Sequence, residues 1–488
     1  MKLFSESDGY RLYEGSMLDM LEFVERESID SIVTDPPYEL GFMGKSWDSS
    51  GIAFQPDTWR KCYQVLKPGG HLLVFGGSRT FHRVACAVED AGFEIRDTIM
   101  WIFGQGFPKS MNLGLAIDRK NGVESEVVGS KGTMPDFVDA GKKNSVNKIG
   151  VNDGESAERA EYLQYKARNE WDGWGTTLKP AYESIIVARK PCKGTCIDNV
   201  LMYGVGGINI DECRVPLEEG YEHKETQRKP RVGTVFSNES CGINNVENHS
   251  ASADEKGRFP ANVILTYDES DFDEVCGGFP VTKSTGGSGK ASATGGLGNN
   301  VYGKYNHDVV ASHLGGLGDS GSAARYFYCA KASKRDRDEG LDEFETKQCT
   351  GGGGGIGDYL DDVNSCSGKF GSEKAPHKNI HPTVKPTSLM GYLVRLVTPR
   401  GGTVLDPFNG SGSTGKACMY ENKDRNAGYK YIGIDLSEEY LKISDARIRY
   451  AISSDVAPAE YSSGSQQTPN QNTPVTPKKK KPSSNRFF

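Results

Sequence analysis

Two short stretches of the chain combine residue types that can do chemistry. The first is Asp35-Pro36-Pro37-Tyr38, directly after the apolar run Ile29 to Thr34. It ends a buried strand with a carboxylate, two prolines and an aromatic ring. The prolines fix φ, so the loop is stiff and its oxygen acceptors keep their places. Taken alone, it also reads as a Pro-Pro strand terminator beside a chance acid. The second stretch is Val404-Leu405-Asp406-Pro407-Phe408-Asn409-Gly410-Ser411-Gly412-Ser413-Thr414-Gly415, which follows a strand and opens a helix. Its glycines let backbone approach a ligand, and a helix N-terminus offers free N–H groups to an anion such as a carboxylate. Ser411, Ser413 and Thr414 add hydroxyls.

Asp435 ends the next strand, where an acid meets ribose hydroxyls in dinucleotide-binding folds. A glycine loop, an anion site and a ribose acid together fit an adenosine ligand bearing a carboxylate, a description that S-adenosyl-L-methionine matches. A triphosphate site would follow Gly with Lys and then Ser or Thr, whereas Lys416 is followed by Ala417. The loop also lacks the third glycine of the Gly-x-Gly-x-x-Gly register, which weakens an NAD reading.

Alternating elements must position these stretches. Strands are expected at Ile29 to Thr34, His71 to Phe75, Ile95 to Phe103, Tyr182 to Lys190, Thr403 to Asp406 and Tyr431 to Asp435. Helices are expected at Gln55 to Leu66, Phe81 to Ala91, Leu389 to Val397, Ser413 to Tyr420 and Ser437 to Tyr450. Lys67-Pro68-Gly69-Gly70 is expected to stop the first of these helices. Such alternation predicts an open α/β sheet covered on both faces. Between about 191 and 375 the pattern breaks up. Asn262 to Tyr267 and Arg325 to Ala330 look like strands, and the Gly-rich runs 284–321 and 351–355 look like linker or ligand-ordered loop. One sheet is therefore expected from two blocks, 1–190 and 376–452, with a separate module at 191–375. A polar tail at 453–488 is expected to be disordered.

Bulk properties remove several classes. The 488 residues carry a net charge of −7, which leaves room for a local basic groove but no polyanion-binding character overall. No run of about 18 apolar residues exists, which argues against a membrane span. The N-terminus lacks an apolar signal core, and eleven scattered cysteines fit a reducing cytoplasm. Cys192, Cys196 and Cys213 lack a matching second pair, so no metal site is expected.

With both stretches in hand, the chain resembles the amino-group DNA methyltransferases. Asp35-Pro36-Pro37-Tyr38 looks like their catalytic tetrapeptide, and Asp406 to Gly412 like their cofactor loop. His381-Pro382-Thr383-Val384-Lys385-Pro386 resembles the segment that contacts the methionine end of the cofactor, and Tyr431 to Asp435 the ribose-binding strand. Catalytic motif first and cofactor loop last is the order of the β group, a circular permutation of the class I (Rossmann-like) methyltransferase sheet. Phe103 to Asn112 and Arg258 to Leu265 look similar to site-specific methylases of phages and prophages.

The resemblance implies methyl transfer from S-adenosyl-L-methionine to an exocyclic amine of a base flipped out of double-stranded DNA. In that scheme Asp35 and the Pro36 carbonyl accept the two N–H bonds, Tyr38 stacks on the base, and no covalent intermediate forms. An acid at the first position implies adenine N6, with cytosine N4 as the alternative. RNA or protein methylation and a non-catalytic DNA-binding module rank behind. The resemblance places DNA recognition in residues 191–375, with Arg228, Lys229, Arg231, Arg258, Lys283, Lys304, Arg325, Lys331, Lys334, Arg335 and Arg337 as candidate contacts. It also implies a homodimer, and either a cognate restriction enzyme or an orphan role, in the cytoplasm of a bacterial or phage-infected cell. Glu39 to Phe54, with Gly41, Gly44, Trp47 and Asp48, reads equally as a lid over cofactor and base and as an ordinary loop with a packed Trp.

Overall fold

In a computed structural model of the chain, the residues described are 2–40, 46–103, 110–133, 161–217, 257–266, 279, 281–283, 320–330, 334–346 and 378–454. Arg228, Lys229, Arg231, Lys304, Lys331, the run Gly351 to Gly355 and the tail beyond 454 lie outside them.

The strands are β1 (Lys2–Ser7), β2 (Tyr10–Glu14), β3 (Ile29–Thr34), β4 (Leu66–Gly76), β5 (Glu94–Phe103), β6 (Glu126–Thr133), β7 (Glu161–Lys166), β8 (Tyr182–Arg189), β9 (Val263–Thr266), β10 (Val281–Lys283), β11 (Ser320–Ser322), β12 (Tyr328–Cys329), β13 (Thr403–Asp406) and β14 (Lys430–Asp435). The helices are α1 (Met17–Met20), α2 (Pro56–Val65), α3 (Phe81–Asp90), α4 (Leu113–Lys120), α5 (Cys196–Tyr203), α6 (Lys334–Asp338), α7 (Thr387–Val397), α8 (Ser413–Arg425) and α9 (Glu438–Ser453). None of the described helices is long and apolar enough to cross a membrane.

Ten strands form one sheet in the order β1-β2-β14-β13-β3-β4-β8-β5-β9-β12. All run parallel except β1 and β8. The two late strands β13 and β14 slot between the early strands β2 and β3. Alternating side chains send Leu12, Val33, Leu73 and Val404 to one face, under α7, α8 and α9. Ile32, Leu72, Val74 and Leu405 go to the other, under α2 and α3 with Trp59, Cys62, Val84 and Val88. Both faces are dry, which explains why the strands read as continuous apolar runs. β3 leads into α2 on one face, and its neighbour β13 leads into α8 on the other. Their carboxyl ends therefore diverge and leave a crevice, the place where open α/β sheets bind ligands.

Several expectations are corrected. The break at Lys67-Pro68-Gly69-Gly70 does not separate helix from strand, because β4 starts at Leu66, paired with Ile29. Gly69, at φ +78°, lets the strand run on, with its N–H bonded to the Lys190 carbonyl. α8 continues past Tyr420 to Arg425, because the polar Glu421 is buried against Arg395. Residues 325–330 are not one strand: a 3-10 turn, Ala323–Tyr326, precedes the two-residue β12. The described parts of 191–375 also do not form a body apart. β9 pairs with β5 and β12 with β9, so this block supplies one edge of the main sheet.

Candidate active site

Thr34 ends β3 and Asp406 ends β13, and the Thr34 hydroxyl donates to Asp406 Oδ1 at 2.6 Å. One hydrogen bond thus ties the tetrapeptide to the glycine loop. Asp406 Oδ1 also accepts from the Phe408 N–H, and Oδ2 from the Thr414 hydroxyl at 2.8 Å. The carboxylate closes the loop on itself.

Asp435 does the same from β14. Its Oδ2 accepts from Gly410 N–H at 2.7 Å and its Oδ1 from Ser437 N–H at 2.8 Å. Asn409 Oδ1 accepts from Tyr431 and Ser444. Gly412 sits at φ +74°, and a Cβ there would lie 2.2 Å from Ser444 Oγ, so only glycine fits. Pro407 is buried, and the Phe408 ring lies 6.4 Å from Trp59.

Burial pushes the Asp406 carboxyl up to about 7 and the Asp435 carboxyl up to about 6, against the pull of these donors. A carboxyl raised on folding holds its proton more tightly in the native chain than in the unfolded one. Stability is therefore expected to fall as pH rises from about 4 to about 7. Melting temperatures across that window check this, and Asp406→Asn should flatten the slope.

Past β3, Asp35 Oδ2 pairs with Lys385 Nζ at 2.7 Å. Lys385 also reaches Glu183 Oε2 at 3.3 Å and the Tyr38 hydroxyl at 3.2 Å, and that hydroxyl donates to Glu183 at 2.7 Å. The ammonium lies over the rings of Phe75 and Tyr38. Asp35 Oδ1 is buried and accepts no hydrogen bond among the described residues. Burial raises the Asp35 carboxyl above its usual range, Lys385 pulls it down, and Glu183 pushes it up. Asp35 and Glu183 in turn raise the Lys385 ammonium against its burial. Pro36 is buried, and the Tyr38 carbonyl accepts from Thr80. The described part of this lid or loop is pinned, with the N–H groups of Glu39 and Leu40 on Asp48 and the N–H of Gly51 on Glu39.

His381 packs on Tyr440 and accepts the Thr383 N–H at Nδ1. Burial, then the charges of Lys385, Arg447 and Arg337, lower it to about 3, so the ring is neutral. Thr383 itself is exposed. The sequence placed Lys385 with the cofactor residues; the structure brings its ammonium to Asp35.

Glu183 escaped the sequence reading. Its one signal is an acid in the otherwise uncharged opening of β8, among Tyr182, Ser184 and Ile185. A second missed group is buried beneath the glycine loop. Arg447 donates to the Ser411 carbonyl at 2.7 Å, to the Ser411 and Ser413 hydroxyls, and to the Asp336 carbonyl. Lys416 pairs with Asp336 at 2.6 Å and Glu339 at 2.9 Å. In sequence, the segment 334–339 looks like a solvated charge run.

The candidate DNA contacts divide. Arg258 is only 8% exposed, pairs its backbone with Val215 and points its guanidinium toward the Pro216 carbonyl, so it is a packing residue and not a surface one. Arg337 donates to the Asn379 and His381 carbonyls and props the cofactor segment. Arg335 is exposed, Lys334 opens α6, Lys283 ends β10, and Arg325 lies in the 3-10 turn. Among the described residues, no cluster of His, Cys, Asp or Glu is placed to hold a metal ion.

The fold and site define a doubly wound α/β protein with an acid–lysine–acid cluster and a glycine loop facing each other across its switch point. The DNA methylase family of the N6/N4 type matches residues 29–446, and the chain belongs to that family. It is 33% identical to the type II methyltransferase M.HpaI of Haemophilus parainfluenzae over 106 residues, which is 20% of this chain and 34% of that protein. It is 41% identical to the type II methyltransferase M2.DpnII of Streptococcus pneumoniae over 68 residues, 14% of this chain and 23% of that one. The matches thus span about a third or less of these curated relatives. Among solved structures, M1.HpyAVI matches with a TM-score of 0.33 at 12% identity, over 90% of this chain and 98% of that one. The cytosine-N4-specific PvuII DNA methyltransferase matches with a TM-score of 0.36 at 12% identity, over 90% and 86%.

Proposed function

We propose that the protein transfers a methyl group from S-adenosyl-L-methionine to N6 of an adenine flipped out of duplex DNA. The observation that carries this reading is Asp35 Oδ1, a buried acceptor with no donor among the described residues, held at the mouth of the switch-point crevice. A buried carboxylate oxygen without a partner is costly unless a ligand supplies the donor. An exocyclic N–H does so. Lys385 holds the other oxygen and so fixes the carboxylate's orientation.

The residues beside it fit the methyl donor. A Cβ at Gly410 or Gly412 would collide with His381 or Ser444, and α8 begins beside them with N–H groups that no side chain caps among the described residues. The Asp435 oxygens each accept one N–H and keep a second acceptor position for ribose hydroxyls. The neutral His381 ring packs beside Gly410. When bound, S-adenosyl-L-methionine supplies a methyl group on a positively charged sulfur.

The chain's own residues deal with the amine. Its lone pair is delocalised into the base. Asp35 Oδ1 and the Pro36 carbonyl draw its two N–H bonds out of the ring plane and stabilise the positive charge that grows on nitrogen. The Tyr38 ring, packed over Gly77, gives the base a face to stack on, worth on the order of 1–3 kcal/mol. An amine inside a duplex cannot reach this pocket, which is why the base must leave the stack.

The test incubates the purified protein with plasmid DNA and S-adenosyl-L-methionine, then identifies nucleosides by mass spectrometry. N6-methyladenine in one sequence context is the expected product. N4-methylcytosine would keep the site chemistry and reassign the base. No methylated base from protein that binds the donor would overturn the proposal.

A further inference from the structure

The amine-methylation reading leaves one proton unaccounted for. As the methyl carbon bonds to nitrogen, its bond to sulfur breaks and the electron pair stays on sulfur. The nitrogen then carries a positive charge and must lose a proton. Pro36 and Phe75 are buried and Tyr38 is half-buried beside this point, so a built path can carry the proton to water.

Resting on that reading, we propose that Lys385 and Glu183 form this path, with Glu183 as its outlet. The chain of groups is continuous. The amine N–H faces Asp35 Oδ1. The other Asp35 oxygen lies 2.7 Å from Lys385 Nζ. Lys385 Nζ lies 3.3 Å from Glu183 Oε2. Side-chain exposure is 17% at Asp35, 7% at Lys385 and 23% at Glu183, so the last group is the most open to solvent. The proton from nitrogen goes to Asp35, Lys385 gives one of its own to Glu183 and takes the one on Asp35, and Glu183 passes its proton to water. The charges return to their starting state, and no oxidant or reductant takes part.

Tyr38 fixes the outlet. Its hydroxyl donates to Glu183 Oε2 at 2.7 Å and accepts from Lys385 at 3.2 Å, which holds both partners in register. The charged and titratable groups that face Glu183 among the described residues are Tyr38, Asp35 and Lys385. The neighbouring strands place uncharged residues opposite it: Trp101 of β5 pairs with Glu183 itself, and Gly76 of β4 with the adjacent Ser184. β8 is one of two antiparallel strands among the described strands of the sheet. Its reversed direction is what brings its opening residues, Glu183 among them, to the carboxyl edge where Asp35 stands. Glu183 acts through Lys385 and does not itself touch the reacting atoms.

The experiment measures single-turnover methyl transfer to plasmid DNA against pH for wild type, Glu183→Gln and Glu183→Asp, with S-adenosylhomocysteine affinity measured alongside. Glu183→Gln is expected to slow transfer by roughly 10- to 100-fold. Its S-adenosylhomocysteine affinity should stay unchanged. The acid limb of its pH profile should move to lower pH, because Asp35 loses a like-charged neighbour. Glu183→Asp should recover most of the lost rate. Equal rates and equal profiles for wild type and Glu183→Gln would overturn the path. So would an equal slowing of Glu183→Asp and Glu183→Gln, since the carboxylate would then not be what matters. A wild-type chain that binds S-adenosylhomocysteine but methylates no base overturns the amine reading, and this inference with it.

Discussion

Replacing Asp35 with alanine is expected to lower the single-turnover rate of methyl transfer by on the order of 10²–10³-fold, the usual effect of removing one oriented group from a water-poor site. Affinity for S-adenosyl-L-methionine should barely change, because no atom of Asp35 belongs to the glycine loop. The variant should also fold. Lys385 keeps Glu183 and Tyr38 as partners, so the deletion does not strand a buried ammonium. Nucleoside mass spectrometry after a single turnover reads the rate, and calorimetry reads the affinity. Full methylation by the alanine variant would remove Asp35 from the chemistry.

The second large effect is expected at Arg447, which is fully buried and touches both the glycine loop and the segment at Asp336. Arg447→Ala removes the donor to the Ser411 carbonyl and leaves Asp336 and Glu339 with Lys416 as their one fully buried cation. Breaking a buried charge network in this way costs about 3–5 kcal/mol. Denaturant unfolding is expected to show that loss, and the stabilisation normally added by S-adenosyl-L-methionine should shrink as well. The two readouts separate the roles. A loss of stability with unchanged stabilisation by the donor would mean that Arg447 packs the helix without shaping the loop.

The parts of the molecule that were readable in sequence share a cause. β3, β13 and β14 are largely buried, so apolar residues dominate them, and each ends on an acid or directly before one. Where a backbone feature demanded a residue type, as at Gly412, the sequence carried it. The β1–β2 hairpin was not legible, because no face of its outer strand is fully buried and the hairpin gains its meaning only through its inner strand β2, which lies beside β14. Glu183 was illegible for a different reason. One acid at the start of an apolar strand has no spacing partner, and its neighbours Lys385 and Asp35 are far away along the chain. Asp336 escaped the sequence reading because a run of alternating charges looks solvated until Lys416 and Arg447 are seen to cover it. Arg258 was misread as a groove contact because a lone arginine in a loop carries no mark of its carbonyl partner.

The position of β13 and β14 between β2 and β3 has a consequence for biosynthesis. A nascent chain that has emerged through β8 has no neighbour for the inner edges of β2 and β3. Those edges stay open until Thr403 to Asp435 leave the ribosome, tens of seconds later at roughly 5–20 residues per second. During that interval the protein presents two apolar strand edges in search of a partner, the hazard that leads to aggregation. Chains cut short before β13 should therefore collect with chaperones or in inclusion bodies, whereas chains cut after α9 should fold.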